Sequence, residues 1–439
     1  MKNLIIFTIL FANIANAQTN APLFANDVQP AVFSLTKVMM HDVVNPPAAS
    51  RYYAYCTMGA YEIVSQNNPA IAPLAKFVKN YQPQIILEKN NEYDYQIAAL
   101  YCILETGKLM LPSGFMLEED EKEFIDGLKK NNVKESVIQT SIAVAEKVAA
   151  SIIGFSKGDN YNKLSTKLRY TPLKGDQYWY PTPPAYIEAI EPNWRIIRPM
   201  VIESSDQFMP ARLTPFSTDT SSAFFALAKE VYKISINQPQ PNVDVANFWD
   251  CNPFAISTSG HMMIGFKKIS PGGHWMNIAG IAAKTARLNF KQTVIVHTII
   301  SIGLMDAFIN CWDEKYRSNR IRPETYINRY IDHKWQPILQ TPPFPEYTSG
   351  HSVVSSCAAE ILTYLLGDHF SYTDNSEVIF EIPPRDFHSF NEAASEAAIS
   401  RLYGGIHYRD AIVNGQVEGK EIGDYVIEKI KSAGIKPLK

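Results

Sequence analysis

Apolar residues recur three and four positions apart along most of the chain, which is the period of a helix that buries one face. Alternation of the kind expected for strands is rare. The pattern predicts an all-α protein built from packed helical bundles. The predicted helices occupy residues 32–44, 51–65, 94–108, 119–130, 137–153, 221–234, 276–312, 351–366, 391–403 and 411–430.

Two segments depart from this regular pattern. Residues 170–210 are rich in proline, tyrosine and tryptophan, which predicts a long irregular segment held against the surface by its aromatic rings. Residues 276–312 carry Ala, Ile and Leu on several faces, which predicts one long helix buried inside a bundle. We divide the chain into an N-terminal helical region, 18–270, and a C-terminal helical bundle, 271–439.

The first 17 residues have the order of a secretory signal peptide. A charged start is followed by an apolar run and by Ala15-Asn16-Ala17, and cleavage is expected after Ala17. The apolar run is too short to cross a bilayer, and we expect no membrane span elsewhere in the chain. The sequence therefore predicts a periplasmic or secreted protein.

Composition narrows the classes of partner. The 439 residues carry a net charge of −3 with acidic and basic residues interleaved, so we expect no nucleic acid or anionic membrane as a partner. The five cysteines are scattered singly and signal neither a zinc motif nor a disulfide framework. Their odd number leaves at least one without a partner in the chain, and the oligomeric state stays open.

Three short segments near the C-terminus combine positive charge with histidine. The first holds Lys315 and Arg322, seven residues apart, which would share one side of a helix that ends at Pro323. A solvent-exposed basic helix face is the alternative for this segment, because Arg317 and Arg320 lie between them.

The second segment, Ser349-Gly350-His351, precedes a predicted helix. Its glycine lets the backbone come close to a ligand at a helix N-terminus, where amide groups favour an anion. A capping serine beside an incidental histidine is the alternative, and the tetrapeptide Thr-Ser-Gly-His occurs twice, ending at His261 and at His351. Only the second copy lies between the other two segments. We therefore favour His351, and place His261 in a structural turn or at most at the rim of the pocket.

The third segment holds Arg401 and His407 on either side of a Gly-Gly pair, which predicts a helix end, a tight turn and a ring nitrogen close to the guanidinium. A buried structural histidine is the alternative for His407 alone. Together the segments indicate a pocket for a tetrahedral oxyanion. Lysine and two arginines supply positive charge, Ser349 and the Gly350 amide supply hydrogen bonds, and two histidines supply a nucleophile or ligand and an acid–base group.

This arrangement resembles the superfamily of type 2 phosphatidic acid phosphatases and vanadium haloperoxidases, whose pattern is Lys-x6-Arg-Pro, Pro-Ser-Gly-His and Ser-Arg-x5-His. The match covers roughly the C-terminal third of the chain. Trp312, Phe344 and the stretches 251–254 and 404–408 resemble, more narrowly, the iodoperoxidase-like group of bacterial vanadium haloperoxidases. The resemblance implies an exported, all-helical enzyme that oxidises halide with hydrogen peroxide to hypohalous acid. Iodide is the expected first substrate and bromide the next.

The resemblance also implies roles for the matching residues. His407 would bond the vanadium, and His351 would be the acid–base group that takes a proton from hydrogen peroxide. Trp312 and Phe344 would border the approach of the halide. Five residues would hold the oxygens of a vanadate cofactor through charge or hydrogen bonds: Lys315, Arg322, Ser349, Gly350 and Arg401.

Two positions depart from the superfamily pattern. Thr348 replaces the proline before Ser-Gly-His, and the aspartate that phosphatases place four residues after the last histidine is Ala411, with Asp410 one position early. The missing aspartate disfavours the alternative function, an exported acid phosphatase with His407 as nucleophile. It affects a vanadium ligand less, since any nearby carbonyl can accept from the second ring nitrogen. A protein that binds an anion without turnover is a further alternative, which His351 disfavours.

Overall fold

The computed structural model describes residues 24–87, 92–259, 261–265 and 267–439, and the predicted signal peptide, 1–17, lies outside them. Helices dominate the described residues, so the all-α prediction is confirmed. The α-helices are α1 (Val28–His41), α2 (Pro46–Asn67), α3 (Tyr95–Met110), α4 (Leu117–Lys130), α5 (Glu135–Ser156), α6 (Ala223–Ile236), α7 (Gln240–Phe248), α8 (Pro271–Thr285), α9 (Phe290–Ser318), α10 (Pro323–Tyr330), α11 (Gly350–Leu366), α12 (Phe390–Tyr403) and α13 (Arg409–Ala433).

The strands within the described residues form two short antiparallel hairpins. In the first, β1 (Ile256–Ser259) pairs with β2 (Met262–Gly265), with Ile256 opposite Gly265. In the second, β3 (Tyr372–Asp374) pairs with β4 (Arg385–Phe387), with Tyr372 opposite Phe387. Both hairpins are additions to the helical core rather than a sheet that organises it.

The prediction of a single helix over 276–312 is wrong, because this part of the chain forms two helices, α8 and α9. Arg287 adopts a left-handed backbone conformation, with a φ of 53°. Asn289 then caps α9: the Gln292 amide donates to the Asn289 side chain at 3.1 Å, and the Asn289 amide donates to the Gln292 side chain at 3.0 Å. This reciprocal capping box starts a new helix although apolar residues continue on both sides.

Helix α9 is the centre of the protein. It packs against α2, α8, α11 and α13, and every residue from 293 to 315 is buried. The largest hydrophobic core contains residues from both sides of position 270, and the domain boundary at that position stays a prediction. Among the described residues, two helical stretches, Glu135–Thr166 and Phe290–Ser318, are long and apolar enough to cross a membrane, but the apolar part of the second lies wholly inside the protein. Core packing accounts for the composition of that second helix, and the absence of a membrane span stays a prediction.

The irregular segment predicted over 170–210 is confirmed, apart from a short 3-10 turn, Trp194–Ile196. Asp306 of α9 fixes its end, because the Asp306 carboxylate accepts from the amides of Met200, Val201 and Ile202 at 2.7, 2.7 and 2.9 Å. Three hydrogen bonds to one buried carboxylate hold the loop against the helix that carries Lys315.

Glycines let α13 pack closely on α11. Gly415 and Gly419 are four residues apart and share one face of α13. A Cβ added at Gly419 would lie 2.1 Å from the carbonyl oxygen of Val353, and one at Gly415 would lie 3.1 Å from the carbonyl oxygen of Ser349. Because Gly415 and Gly419 have no side chain, α13 can lie close to the first turns of α11, where Ser349 is located.

We expect Gly419→Ala to lower the free energy of unfolding by about 1–3 kcal/mol, because an added methyl must displace backbone in a tight interface. Gly127→Ala is the matched control, since a Cβ on that α4 residue meets nothing within 4 Å. It should raise stability by about 0.5–1 kcal/mol, as alanine does in an open helix position. Urea denaturation measures both variants, and a neutral Gly419→Ala would contradict the close approach.

Candidate active site

The three predicted segments meet at one cavity formed by α9, the start of α11 and the turn after α12. Predicted residues that line it are Trp312, Phe344, Gly350, His351, Arg401 and His407. Lys315, Arg322 and Ser349 lie directly behind these and are fully buried. The structure therefore brings all the predicted site residues together, and the segment that follows α7 completes the wall.

The prediction that Lys315 and Arg322 lie on one helix is wrong. Helix α9 ends at Ser318, and the next residue is left-handed with a φ of 48°. Arg322 is the N-cap of α10, so Pro323 begins a helix instead of ending one. The turn nevertheless brings both cations to the Phe344 ring, with Lys315 Nζ and Arg322 Cζ each 5.1 Å from its centre.

Lys315 is enclosed by backbone carbonyls. Its Nζ donates to the carbonyls of Pro345 at 3.2 Å and Glu346 at 3.1 Å, and also to that of Thr348. Burial lowers the pKa of Lys315 to about 8, so a solvent-exposed basic helix face does not describe it. This lysine is charged at neutral pH but close to losing its proton.

Arg322 has a free donor directed at no group in the described part of the chain. Its Nε donates to the Phe344 carbonyl at 2.9 Å, and its Nη1 donates to the Ile406 carbonyl at 2.9 Å and to His407 Nε2 at 3.1 Å. Nη2 is buried and has no partner among the described residues. Burial lowers the pKa of Arg322 to about 10, which leaves it charged. An unpartnered buried guanidinium donor is costly and indicates a place for a bound anion.

Arg401 and His407 are positioned by the end of α12, as predicted. Arg401 Nε donates to the Ser400 hydroxyl at 2.9 Å, and its Nη2 donates to the Trp249 carbonyl at 2.7 Å. Gly405 has a φ of 77°, a conformation that favours glycine and turns the chain toward the cavity. This turn places the His407 ring beside the Arg322 guanidinium.

The neighbours of His407 fix its protonation. Nδ1 lies 2.9 Å from Glu346 Oε1, and Nε2 lies 3.1 Å from Arg322 Nη1. Because a guanidinium can only donate, Nε2 carries the lone pair and Nδ1 carries the proton. Burial, followed by the charges of Arg322 and Lys315, holds the pKa of His407 well below its usual range. A neutral imidazole with a lone pair at Nε2 is the form that binds metals.

Sequence reasoning missed Glu346. It is fully buried, and its Oε1 also accepts from the Tyr408 amide at 2.9 Å. Its Oε2 lies 3.4 Å from Arg320 Nη1, and Arg320 forms two hydrogen bonds of 2.9 Å to Asp410. The displaced Asp410 therefore contacts Arg320, while Glu346 takes the place beside His407. A carboxylate among prolines just before Ser-Gly-His is the one signal that could have drawn attention to it.

His351 is the second residue of α11, after the N-cap Ser349, whose hydroxyl accepts from the Ser352 amide at 3.4 Å. Its Nε2 is buried and has no partner within the described ranges. Burial, followed by the charge of Arg401, holds the pKa of His351 well below its usual range. His351 is therefore a neutral base at the positive end of a helix dipole. His261 is exposed in the turn between β1 and β2, where it was predicted.

Two adjacent aromatic rings form part of the cavity lining. The ring centres of Trp312 and Phe344 lie 4.9 Å apart with an interplanar angle of 52°. Trp312 Nε1 donates to the Ile190 carbonyl at 3.1 Å, so the irregular loop fixes one wall of the site. Phe254 also lines the cavity, whereas His274 is not among the lining residues.

Comparison with known proteins finds a matching family model and similar solved structures. A family model described as the VCPO second helical-bundle domain matches residues 330–434. A bacterial vanadium-dependent iodoperoxidase of known structure is 41% identical, with a TM-score of 0.86, over 92% of this chain and 96% of its own. No curated protein sequence matches the chain.

More distant structures share the fold alone. A holo-type bacterial vanadium-dependent chloroperoxidase is 15% identical, with a TM-score of 0.67, over 89% of this chain and 93% of its own. The apo-type chloroperoxidase is 14% identical, with a TM-score of 0.63, over 88% and 94%. The 41% identity to the iodoperoxidase, in contrast, extends over nearly the whole of both chains. The chain belongs to the family of bacterial vanadium-dependent haloperoxidases.

Proposed function

We propose that this protein is a vanadate-dependent haloperoxidase that oxidises iodide, and less readily bromide, with hydrogen peroxide to the hypohalous acid. The observation that carries the proposal is the pair of buried donor or acceptor atoms, Arg322 Nη2 and His351 Nε2, which have no partner among the described residues. His351 lines the cavity together with Arg401 and His407, and the Arg322 guanidinium lies directly behind them, against the His407 ring. A tetrahedral oxyanion fits these groups in both charge and hydrogen bonding.

Each residue of the cavity has a role in this proposal. Lys315, Arg322 and Arg401 would bind and neutralise the oxygens of vanadate. His407 would bind the vanadium through the Nε2 lone pair, which accepts from Arg322 Nη1 in this structure. Vanadate would supply Lewis acidity toward peroxide without a change in oxidation state. His351 would take a proton from hydrogen peroxide, because it is neutral and its Nε2 is free to accept.

The position of Glu346 removes one argument against the alternative function, an acid phosphatase. The same cations would bind phosphate, and Glu346 orients His407 as a phosphatase aspartate would. The missing aspartate at position 411 therefore does not separate the two activities. Halide oxidation is favoured instead by the rings of Trp312 and Phe344 in the cavity lining, and by the 41% identity to an iodoperoxidase.

Iodide oxidation by purified protein, before and after addition of orthovanadate, tests the proposal. Hydrolysis of a generic phosphomonoester is measured in parallel. We expect oxidation that requires both peroxide and vanadate and is inhibited by phosphate, which competes for the same cations. Ester hydrolysis that vanadate inhibits, without halide oxidation, would assign the cavity to a phosphatase.

The low pKa of Lys315 predicts that vanadate binding weakens in mild alkali. Lys315 is a cation below its pKa of about 8 and neutral above it, so the dissociation constant should rise by up to roughly tenfold per pH unit above that value. Lys315→Gln is the control, because it lacks this ionisation but experiences the ionisation of vanadate itself. Parallel pH profiles for the two proteins would contradict the role of Lys315.

Export is a second, separate proposal. The order of charged, apolar and small residues before Ala17 supports cleavage after that residue. Mass spectrometry of the protein recovered from the periplasm or medium should give an N-terminus at Gln18. An uncleaved chain in the cytoplasmic fraction would contradict the proposal.

A further inference from the structure

A second cluster of ligand side chains lies beside the cavity, apart from the residues assigned to vanadate. Cys251 follows α7, His274 lies in the first turn of α8, and Glu377 follows β3, and none is more than 2% exposed. One ligand atom of each lies within 4.8 Å of the others. The sequence carries no motif for this cluster, because its members come from three distant parts of the chain.

The His274 ring is at the centre of the cluster. Its Nδ1 lies 3.3 Å from Cys251 Sγ and 3.1 Å from Glu377 Oε1. A tetrahedral zinc ion holds a sulfur and a nitrogen ligand about 3.6 Å apart, and a nitrogen and an oxygen ligand about 3.3 Å apart. The observed separations are slightly shorter, so a small outward movement of the side chains would admit the ion.

Two further contacts are typical of the surroundings of a metal ligand. Asp374 Oδ2 lies 2.7 Å from His274 Nε2, and Asp374 Oδ1 accepts from the Ser376 amide at 2.9 Å. A carboxylate in this position orients a metal-bound imidazole and increases its basicity. Glu377 Oε1 is buried and lies 3.1 Å from His274 Nδ1, but in a direction that makes no hydrogen bond, so this oxygen has no donor among the described residues and is open to a metal ion.

We propose that Cys251, His274 and Glu377 bind a zinc ion. Thiolate, imidazole and carboxylate are ligands that zinc accepts together. Binding would release two protons to solvent, one from the Cys251 thiol and one from His274 Nδ1, and would leave the His274 ring protonated only at Nε2, where Asp374 accepts. One tetrahedral position remains, for the second oxygen of Glu377 or a water molecule.

The zinc ion would fix one wall of the active-site cavity. Cys251 lines that cavity. The Trp249 ring stacks on the His274 ring with centres 4.6 Å apart, and the Trp249 carbonyl accepts from Arg401 Nη2 at 2.7 Å. The ion would thus hold in place the segment that positions Arg401.

The zinc content of untagged full-length protein tests the site, after growth with added zinc and purification without a chelator. We expect about one zinc ion per chain, and a zinc K-edge spectrum with one sulfur at about 2.3 Å and nitrogen or oxygen at about 2.0–2.2 Å. Cys251→Ser and Glu377→Gln should each lose most of the zinc. Cys357→Ser is the matched control and should retain it, because Cys357 is a buried thiol of α11 that contacts the Gly303 carbonyl.

Glu377→Gln keeps the size of the side chain and leaves the contacts of His274 with Cys251 and Asp374 in place. It therefore tests the site even where the cysteine variant folds poorly, and the spectrum of the wild-type protein requires no variant. Wild-type protein without bound zinc after this preparation would overturn the proposal. Undiminished zinc in folded Glu377→Gln, or a spectrum without a sulfur ligand, would overturn it as well.

Discussion

His351→Ala is expected to reduce iodide turnover by about 10²- to 10⁴-fold, the usual contribution of a positioned acid–base group. The His351 ring has its Nε2 free at the cavity and is neutral at pH 7, so it can accept a proton from peroxide. Vanadate binding should persist, because Lys315, Arg322 and Arg401 keep their positions. The substitution leaves the Ser349 cap and the Gly350 amide unchanged.

The chain offers a matched control in His261→Ala. His261 ends the same tetrapeptide as His351 but is exposed in the turn between β1 and β2, so its loss should change neither turnover nor binding. Steady-state iodide oxidation at saturating vanadate gives the turnover, and calorimetric titration with vanadate gives the affinity. Full turnover by His351→Ala would remove the acid–base role, and loss of vanadate binding would make His351 a binding group instead.

The helices predicted best from the sequence are those with one apolar face. Helix α4 was predicted over 119–130 and occupies Leu117–Lys130, because a single apolar stripe fixes both its period and its ends. Helix α9 is buried on all faces over residues 293–315 and has apolar residues on several of them, so its period does not reveal where α8 stops. The break depends on the backbone of Arg287 and the cap at Asn289, two local features within an apolar run.

The cationic part of the site was predictable because its residues lie in three short segments at fixed spacing. The spacing was informative even where the predicted local structure was wrong. Lys315 and Arg322 are brought together by a turn between two helices and not by one helix. Glu346 has no such spacing signal. Its role exists only because the fold places residue 346 beside His407, 61 positions later in the chain.

The contacts of Glu346 give it a positioning role that can be tested. Its Oε1 accepts from both His407 Nδ1 and the Tyr408 amide, and these two contacts fix the ring and its tautomer. Burial raises the pKa of Glu346, while Arg320 and Arg322 oppose that shift and favour the carboxylate. The carboxylate keeps the proton on Nδ1, and the Nε2 lone pair that a vanadium ligand needs depends on this.

Glu346→Gln should therefore weaken vanadate binding by about 10- to 100-fold, the usual effect of losing the carboxylate that orients a metal-bound histidine. Asp410→Asn is the control, because it also removes a charge partner of Arg320 but does not touch His407. Nitrogen-15 NMR of the His407 ring should show the Nδ1-protonated form in the wild type and in Asp410→Asn, and a mixture of tautomers in Glu346→Gln. If both variants lost affinity equally and kept one tautomer, Glu346 would stabilise the fold through Arg320 without orienting His407.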